Sequence, residues 1–122
     1  MMRNALLTMM MSFSLLTAAE ITCETVHSGI KKIRCIYSSK SYIKPRNVTF
    51  SWISPDNKSD NLTKSYTVEA GQVSVIDYRY FSGRSEGRWT ISVSDEATNE
   101  SISTEYIKNS YEKVFPEQRK HL

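Results

Sequence analysis

The stretch Cys23-Glu-Thr-Val-His-Ser-Gly-Ile-Lys-Lys-Ile-Arg-Cys35 holds both cysteines of the 122-residue chain and one of its two histidines. Its symmetry decides how it folds. Gly29 lies midway between the cysteines, so a hairpin turning at Ser28-Gly29-Ile30 sets Cys23 opposite Cys35. The same register pairs Thr25 with Ile33 on one face and Glu24 with Arg34 on the other, and opposite charges facing across two strands are mildly stabilising. Facing residues of neighbouring strands lie about 4.5–5.5 Å apart, within reach of a disulfide. A structural zinc site asks for four ligands at close spacing, and a redox pair asks for cysteines two residues apart. Two cysteines and His27 at this spacing satisfy neither demand, so the stretch reads as a stapled hairpin.

Upstream of the hairpin, residues 1–19, MMRNALLTMMMSFSLLTAA, read as a signal peptide. Arg3 supplies the positive start, an apolar run follows, and Thr17 and Ala19 are small enough for a cleavage site. The run is shorter than the ~20 residues that a membrane span needs. These features predict an exported protein, periplasmic or extracellular, with no stable membrane insertion after cleavage. What remains has the size of one domain, a size at which one disulfide is a useful share of stability. The net charge is +3, of which Arg3 carries one. The excess is spread along the chain, and without a basic stripe the composition excludes nucleic acid as a partner.

Downstream, short β-like runs alternate with turn signals. Arg46 to Ser54 places Val48, Phe50 and Trp52 on one face, and Pro55-Asp-Asn stops the strand. A polar loop leads to Ser65–Glu69, and Ala70-Gly71 turns the chain into Gln72–Phe81. Arg88 to Asp95 points Trp89, Ile91 and Val93 inward, and Ile102 and Tyr106 share a face of the last run, Ser101–Lys108. About seven strands at intervals of roughly 8–15 residues predict an antiparallel β-sandwich over 20–109, with a polar C-terminal tail over 110–122.

The series Trp52-Ile-Ser-Pro-Asp-Asn, Val68-Glu-Ala-Gly and Gly87-Arg-Trp-Thr-Ile-Ser-Val-Ser-Asp95 resembles small exported bacterial domains of immunoglobulin-like topology. In such domains a strand ending in a Pro-Asp turn is followed later by a Gly-x-Trp-x-apolar-x-apolar strand. The resemblance covers about half the mature chain and implies an immunoglobulin-like sandwich. The chain departs from true immunoglobulin domains in one respect: its cysteines staple a hairpin and do not bridge two sheets.

The residues that carry chemistry favour binding over catalysis. With both cysteines in the staple, His27 beside a turn and His121 next to last, no rigidly held base is available to a nucleophile. No cofactor is expected. Asp56-Asn-Lys-Ser-Asp-Asn61 offers oxygen ligands, but Lys58 sits among them and the glycine of an EF-hand loop is missing, so turn chemistry explains it and no metal is expected. Asp77 and Arg79 share a face with Val73 and Val75, and a twist or bulge near the strand end is expected to bring both charges to solvent. Tyr78 and Tyr80 alternate on the other face, with Arg84 and Arg88 close behind. Tyr and Arg are enriched at protein interfaces, so these four residues form the candidate binding patch.

These observations predict an exported binding module whose partner is another protein or a surface glycan. It would serve as an accessory, a chaperone-like protein or an adhesin at the cell envelope. An inhibitor or immunity protein that plugs a hydrolase with Ser82–Gly87 is an alternative. A eukaryotic secreted glycoprotein is another, since Asn47, Asn57, Asn61 and Asn99 each open an N-glycosylation sequon.

Overall fold

The computed structural model of the chain describes residues 19–110. The expected signal peptide and tail lie outside these residues, except for Ala19 and Ser110 at their inner ends. Seven strands run in the order β1 (Glu20–Val26), β2 (Lys32–Ser38), β3 (Arg46–Ile53), β4 (Leu62–Val68), β5 (Ser74–Tyr80), β6 (Gly87–Asp95) and β7 (Glu100–Lys108). They form a three-stranded sheet, β1-β2-β5, and a four-stranded sheet, β4-β3-β6-β7, with every pairing antiparallel. The result is the expected two-sheet β-sandwich.

The hairpin has the register read from its symmetry. Cys23 faces Cys35, Glu24 faces Arg34 and Thr25 faces Ile33. A disulfide joins the two cysteines, whose Cα atoms are 4.1 Å apart. Gly29 adopts φ 65°, a left-handed conformation that glycine takes without a steric penalty. Glu24 and Arg34 form an ion pair on the outer face. Closing a loop of this length removes entropy from the unfolded chain and so raises its free energy by about 3 kcal/mol. Reduction with a phosphine should therefore lower the stability measured by urea unfolding by about that amount, leaving a folded but weaker domain.

Alternation builds the core. Val48, Phe50 and Trp52 of β3 and Trp89, Ile91 and Val93 of β6 point inward and are at most 1% exposed. Ile33, Cys35 and Tyr37 of β2 meet them from the opposing sheet. The two tryptophans pack edge to face, with ring centroids 6.5 Å apart.

Two details differ from the expected layout. β4 begins at Leu62, because the loop after Pro55 needs only a short 3-10 turn, Lys58–Asp60, capped by the Asn57 side chain. Asp77 and Arg79 do not reach solvent: β5 pairs with β2 without a break from Ser74 to Tyr80, so the alternation continues and carries both charges inward. They are 1% and 8% exposed. Each has its own partners, and they do not pair with one another.

Candidate functional site

The outer face of the three-stranded sheet is set by the same register. Successive rows across it read Thr22–Ile36–Ile76, Glu24–Arg34–Tyr78 and Val26–Lys32–Tyr80. Ile76, Tyr78 and Tyr80 stand in line on the edge strand β5 and are 41%, 42% and 59% exposed. The Lys32 ammonium lies 5.3 Å from the centre of the Tyr78 ring, within cation–π range. A cleft of about 400 Å³ runs along β5 toward β4, the edge strand of the other sheet, and is lined by Tyr78, Tyr80, Lys32, Leu62, Lys64 and Arg84 among others.

The floor of this region is a buried polar network. Asp77 accepts hydrogen bonds from the Trp52 indole N–H at 2.8 Å, from the Tyr66 hydroxyl and from the Lys64 ammonium at 3.2 Å. Arg79 lies 5.6 and 5.7 Å from the Trp52 and Trp89 rings. Its guanidinium donates to the Asp60 carbonyl and carboxylate. Burial and then the neighbouring Arg84 lower its pKa below the ordinary value. Asp60, read from sequence as part of a turn, is thus turned inward; it also pairs with Arg84 at 3.1 Å and accepts the Ser85 N–H at 3.0 Å.

Three of the four candidate patch residues come together. Tyr78, Tyr80 and Arg84 line the cleft. Arg88 lies elsewhere, on the outer face of the four-stranded sheet, where it pairs with Glu105 at 2.6 Å. Proximity in sequence brought Arg88 into the patch, but the loop from Phe81 to Glu86 carries the chain across to the other sheet before it.

The face that holds Arg88 has a different chemistry. Two rows of hydroxyls cross all four strands, Ser65–Thr49–Ser94–Ser101 and Thr63–Ser51–Ser92–Ser103. Thr49 and Ser65, Ser92 and Ser103, and Ser94 and Ser101 are hydrogen-bonded at 2.8 Å. Serines and threonines between the apolar positions of β3 and β6 were the only trace of these rows in sequence.

At the far end of the sandwich, Asp95 accepts from the Tyr37 hydroxyl at 2.7 Å, from Arg46 Nε at 3.0 Å and from the Ala97 N–H at 2.9 Å. Burial pushes its carboxyl up, but these hydrogen bonds outweigh burial and leave it below the ordinary value of 3.8. Glu86 is held at about 2 by the Ser110 hydroxyl, the Ser110 N–H and Lys108. Both carboxylates bind protons more readily in the unfolded chain. Their stabilisation is present above pH 4.5, the ordinary value for Glu86, and is lost as pH falls toward 2. Tyr66 behaves oppositely: burial and its bond to Asp77 push its hydroxyl up from 10.0 to about 12. Its stabilisation is complete below pH 10 and fades toward pH 12. Urea midpoints should therefore fall at both extremes, with a shallower acid limb in Glu86→Gln and a shallower alkaline limb in Tyr66→Phe.

His27 is exposed beside the hairpin turn, and His121 lies outside the described residues. Among the described residues, no group of three or more His, Cys, Asp or Glu side chains could hold a metal ion. No helix among them is long and apolar enough to cross a membrane. The four sequon asparagines are all exposed; the Asn57 side-chain oxygen caps the 3-10 turn by accepting the Ser59 N–H, and that of Asn61 accepts the Ser54 N–H. No protein-family model, no curated protein and no solved structure matches the chain.

Proposed function

We propose that the protein is an exported protein-binding module of immunoglobulin-like topology, with its recognition surface on the outer face of β1-β2-β5. The observation that carries this reading is the line of Ile76, Tyr78 and Tyr80, half-exposed on an edge strand and flanked by Lys32 and Arg34. Rigid amphipathic aromatics beside cations are the side chains that dominate protein interfaces. The hydroxyl face offers no comparable apolar anchor. Export is supported by the disulfide, which persists in oxidising compartments. The topology is supported by β5, which returns to the sheet of the first two strands after β3 and β4 have formed the second sheet.

Crosslinking capture from the native envelope and secreted fractions, with the bound protein identified, tests the reading. Tyr78→Ala/Tyr80→Ala should weaken capture at least tenfold, because two anchor side chains are truncated. Arg88→Ala, on the opposite face, should leave capture unchanged. A partner held equally by the parent and by Tyr78→Ala/Tyr80→Ala would refute the surface.

The inhibitor reading is favoured by one observation, the rigidity of its plug. Within Ser82–Gly87, the Ser85 carbonyl accepts the Trp89 indole N–H at 2.9 Å, the Ser85 N–H binds Asp60, and the Arg84 carbonyl accepts Lys108 at 2.7 Å. A loop fixed in this way suits insertion into an enzyme cleft. Stoichiometric inhibition of a cell-wall hydrolase, lost on substitutions within the loop, would establish it.

A further inference from the structure

The free edge of β5 and the charges beside it narrow the kind of partner. Ser39 N–H donates to the Val73 carbonyl, and Phe81 N–H donates to the Lys31 carbonyl. In an antiparallel ladder, bonded pairs alternate with non-bonded ones. Val75, Asp77 and Arg79 are therefore the bonded partners of β2, in step with Val73 and Phe81. The disulfide agrees with this phase: Cys23 and Cys35, only 4.1 Å apart at Cα, form a close, non-bonded pair, which leaves the Cys35 main chain to bond Asp77 on its other side. The N–H and C=O groups of Ile76, Tyr78 and Tyr80 then point away from the sheet, and no strand among the described residues pairs with them. These are the residues whose side chains form the exposed line.

The surroundings of this edge are cationic. Lys32, Lys64 and Arg84 line the cleft, and no acidic side chain does. Of the carboxylates around it, Asp60 and Asp77 lie below and are 9% and 1% exposed, and Glu24, two strands away in the Tyr78 row, is paired with Arg34. Lys64 is 41% exposed at its side chain despite its contact with Asp77, so it can meet a second carboxylate. A second copy of the chain docked edge to edge would bring like charges together, which disfavours self-pairing.

We infer that β5 accepts an extended, acidic segment of a partner protein as an added strand, with acidic and apolar side chains alternating along it. Main-chain bonds to Ile76, Tyr78 and Tyr80 hold the segment, as in other cases of strand addition. Period-two alternation sends its apolar side chains onto the tyrosine line and its carboxylates toward Lys64 and Arg84. The inference rests on the protein-binding reading and names the chemistry of the partner.

A fluorescent peptide of about eight residues alternating Glu and Val, an ordinary strand length, tests this by anisotropy against the purified protein. Saturable binding is expected, at least tenfold weaker for the Lys/Val counterpart and weakened as salt screens the charges. Lys64→Gln should weaken it severalfold, and an unchanged melting curve verifies the fold. Two peptides N-methylated at opposite alternate positions test the strand geometry, since only one pattern blocks bonds to β5 and should abolish binding. Equal binding of the Lys/Val peptide overturns acid recognition, and indifference to both methylation patterns overturns strand addition. A dimer in sedimentation that Tyr78→Ala/Tyr80→Ala dissociates makes a second copy the occupant and also overturns the inference. If the Glu/Val peptide fails to bind while native partner capture still depends on Tyr78 and Tyr80, the inference falls and the surface stands.

Discussion

Asp95→Ala should destabilise the protein by about 3–5 kcal/mol, the range for removing one partner of a buried ion pair. Asp95 and Arg46 have side chains only 1% and 3% exposed, so solvent cannot replace the lost carboxylate. Arg46 would keep its bond to the Ser39 hydroxyl at 2.7 Å and its stacking on Tyr42 at 4.6 Å, but not its countercharge. The Tyr37 hydroxyl and the Ala97 N–H would lose their acceptor as well. Removing the charge together with its partner isolates the cause. Asp95→Ala/Arg46→Met should recover much of the loss, because replacing a buried pair by apolar groups is often close to neutral. Urea unfolding of the single and double variants measures both effects; a double variant as unstable as the sum of the singles would contradict this account.

Asp77→Ala should cost about 3–4 kcal/mol for a different reason. Its charged partner Lys64 is partly exposed and can turn to water. The penalty comes from the Trp52 indole N–H and the Tyr66 hydroxyl, since each orphaned buried donor costs about 1–3 kcal/mol. The effect should be coupled to Trp52: in a Trp52→Phe background, which has no indole donor to strand, Asp77→Ala should cost distinctly less. Equal losses in the two backgrounds would show that the indole bond contributes nothing.

The hairpin was legible because its information is local. Gly29 marks the midpoint, and the charges of Glu24 and Arg34 confirm the register. The core strands were legible because Val48-x-Phe50-x-Trp52 and Trp89-x-Ile91-x-Val93 alternate without interruption. Asp77 and Arg79 obeyed the same alternation, yet charge argued against placing them inside. What makes the interior tolerable for them comes from residues remote in sequence: Trp52 on β3, Lys64 and Tyr66 on β4, and Asp60 in a loop that looked like a solvated turn. A buried charge cannot be read from its own strand, because its solvation is supplied by others. The same limit hid the hydroxyl rows, which exist only through the registers of β3 with β4 and β6 and of β6 with β7. It also separated Arg88 from the tyrosines: their spacing along the chain is short, but the sandwich places them on opposite faces.

Residue-resolved amide hydrogen exchange along β5 tests the central claim, that this strand presents an open edge for recognition. In the free protein the N–H groups of Val75, Asp77 and Arg79 should exchange slowly, and those of Ile76, Tyr78 and Tyr80 quickly. Addition of the captured partner should slow the second set and leave the first unchanged. Protection of all six in the free protein would mean that the edge is already covered. Continued fast exchange of Ile76, Tyr78 and Tyr80 in the complex would mean that recognition does not use it.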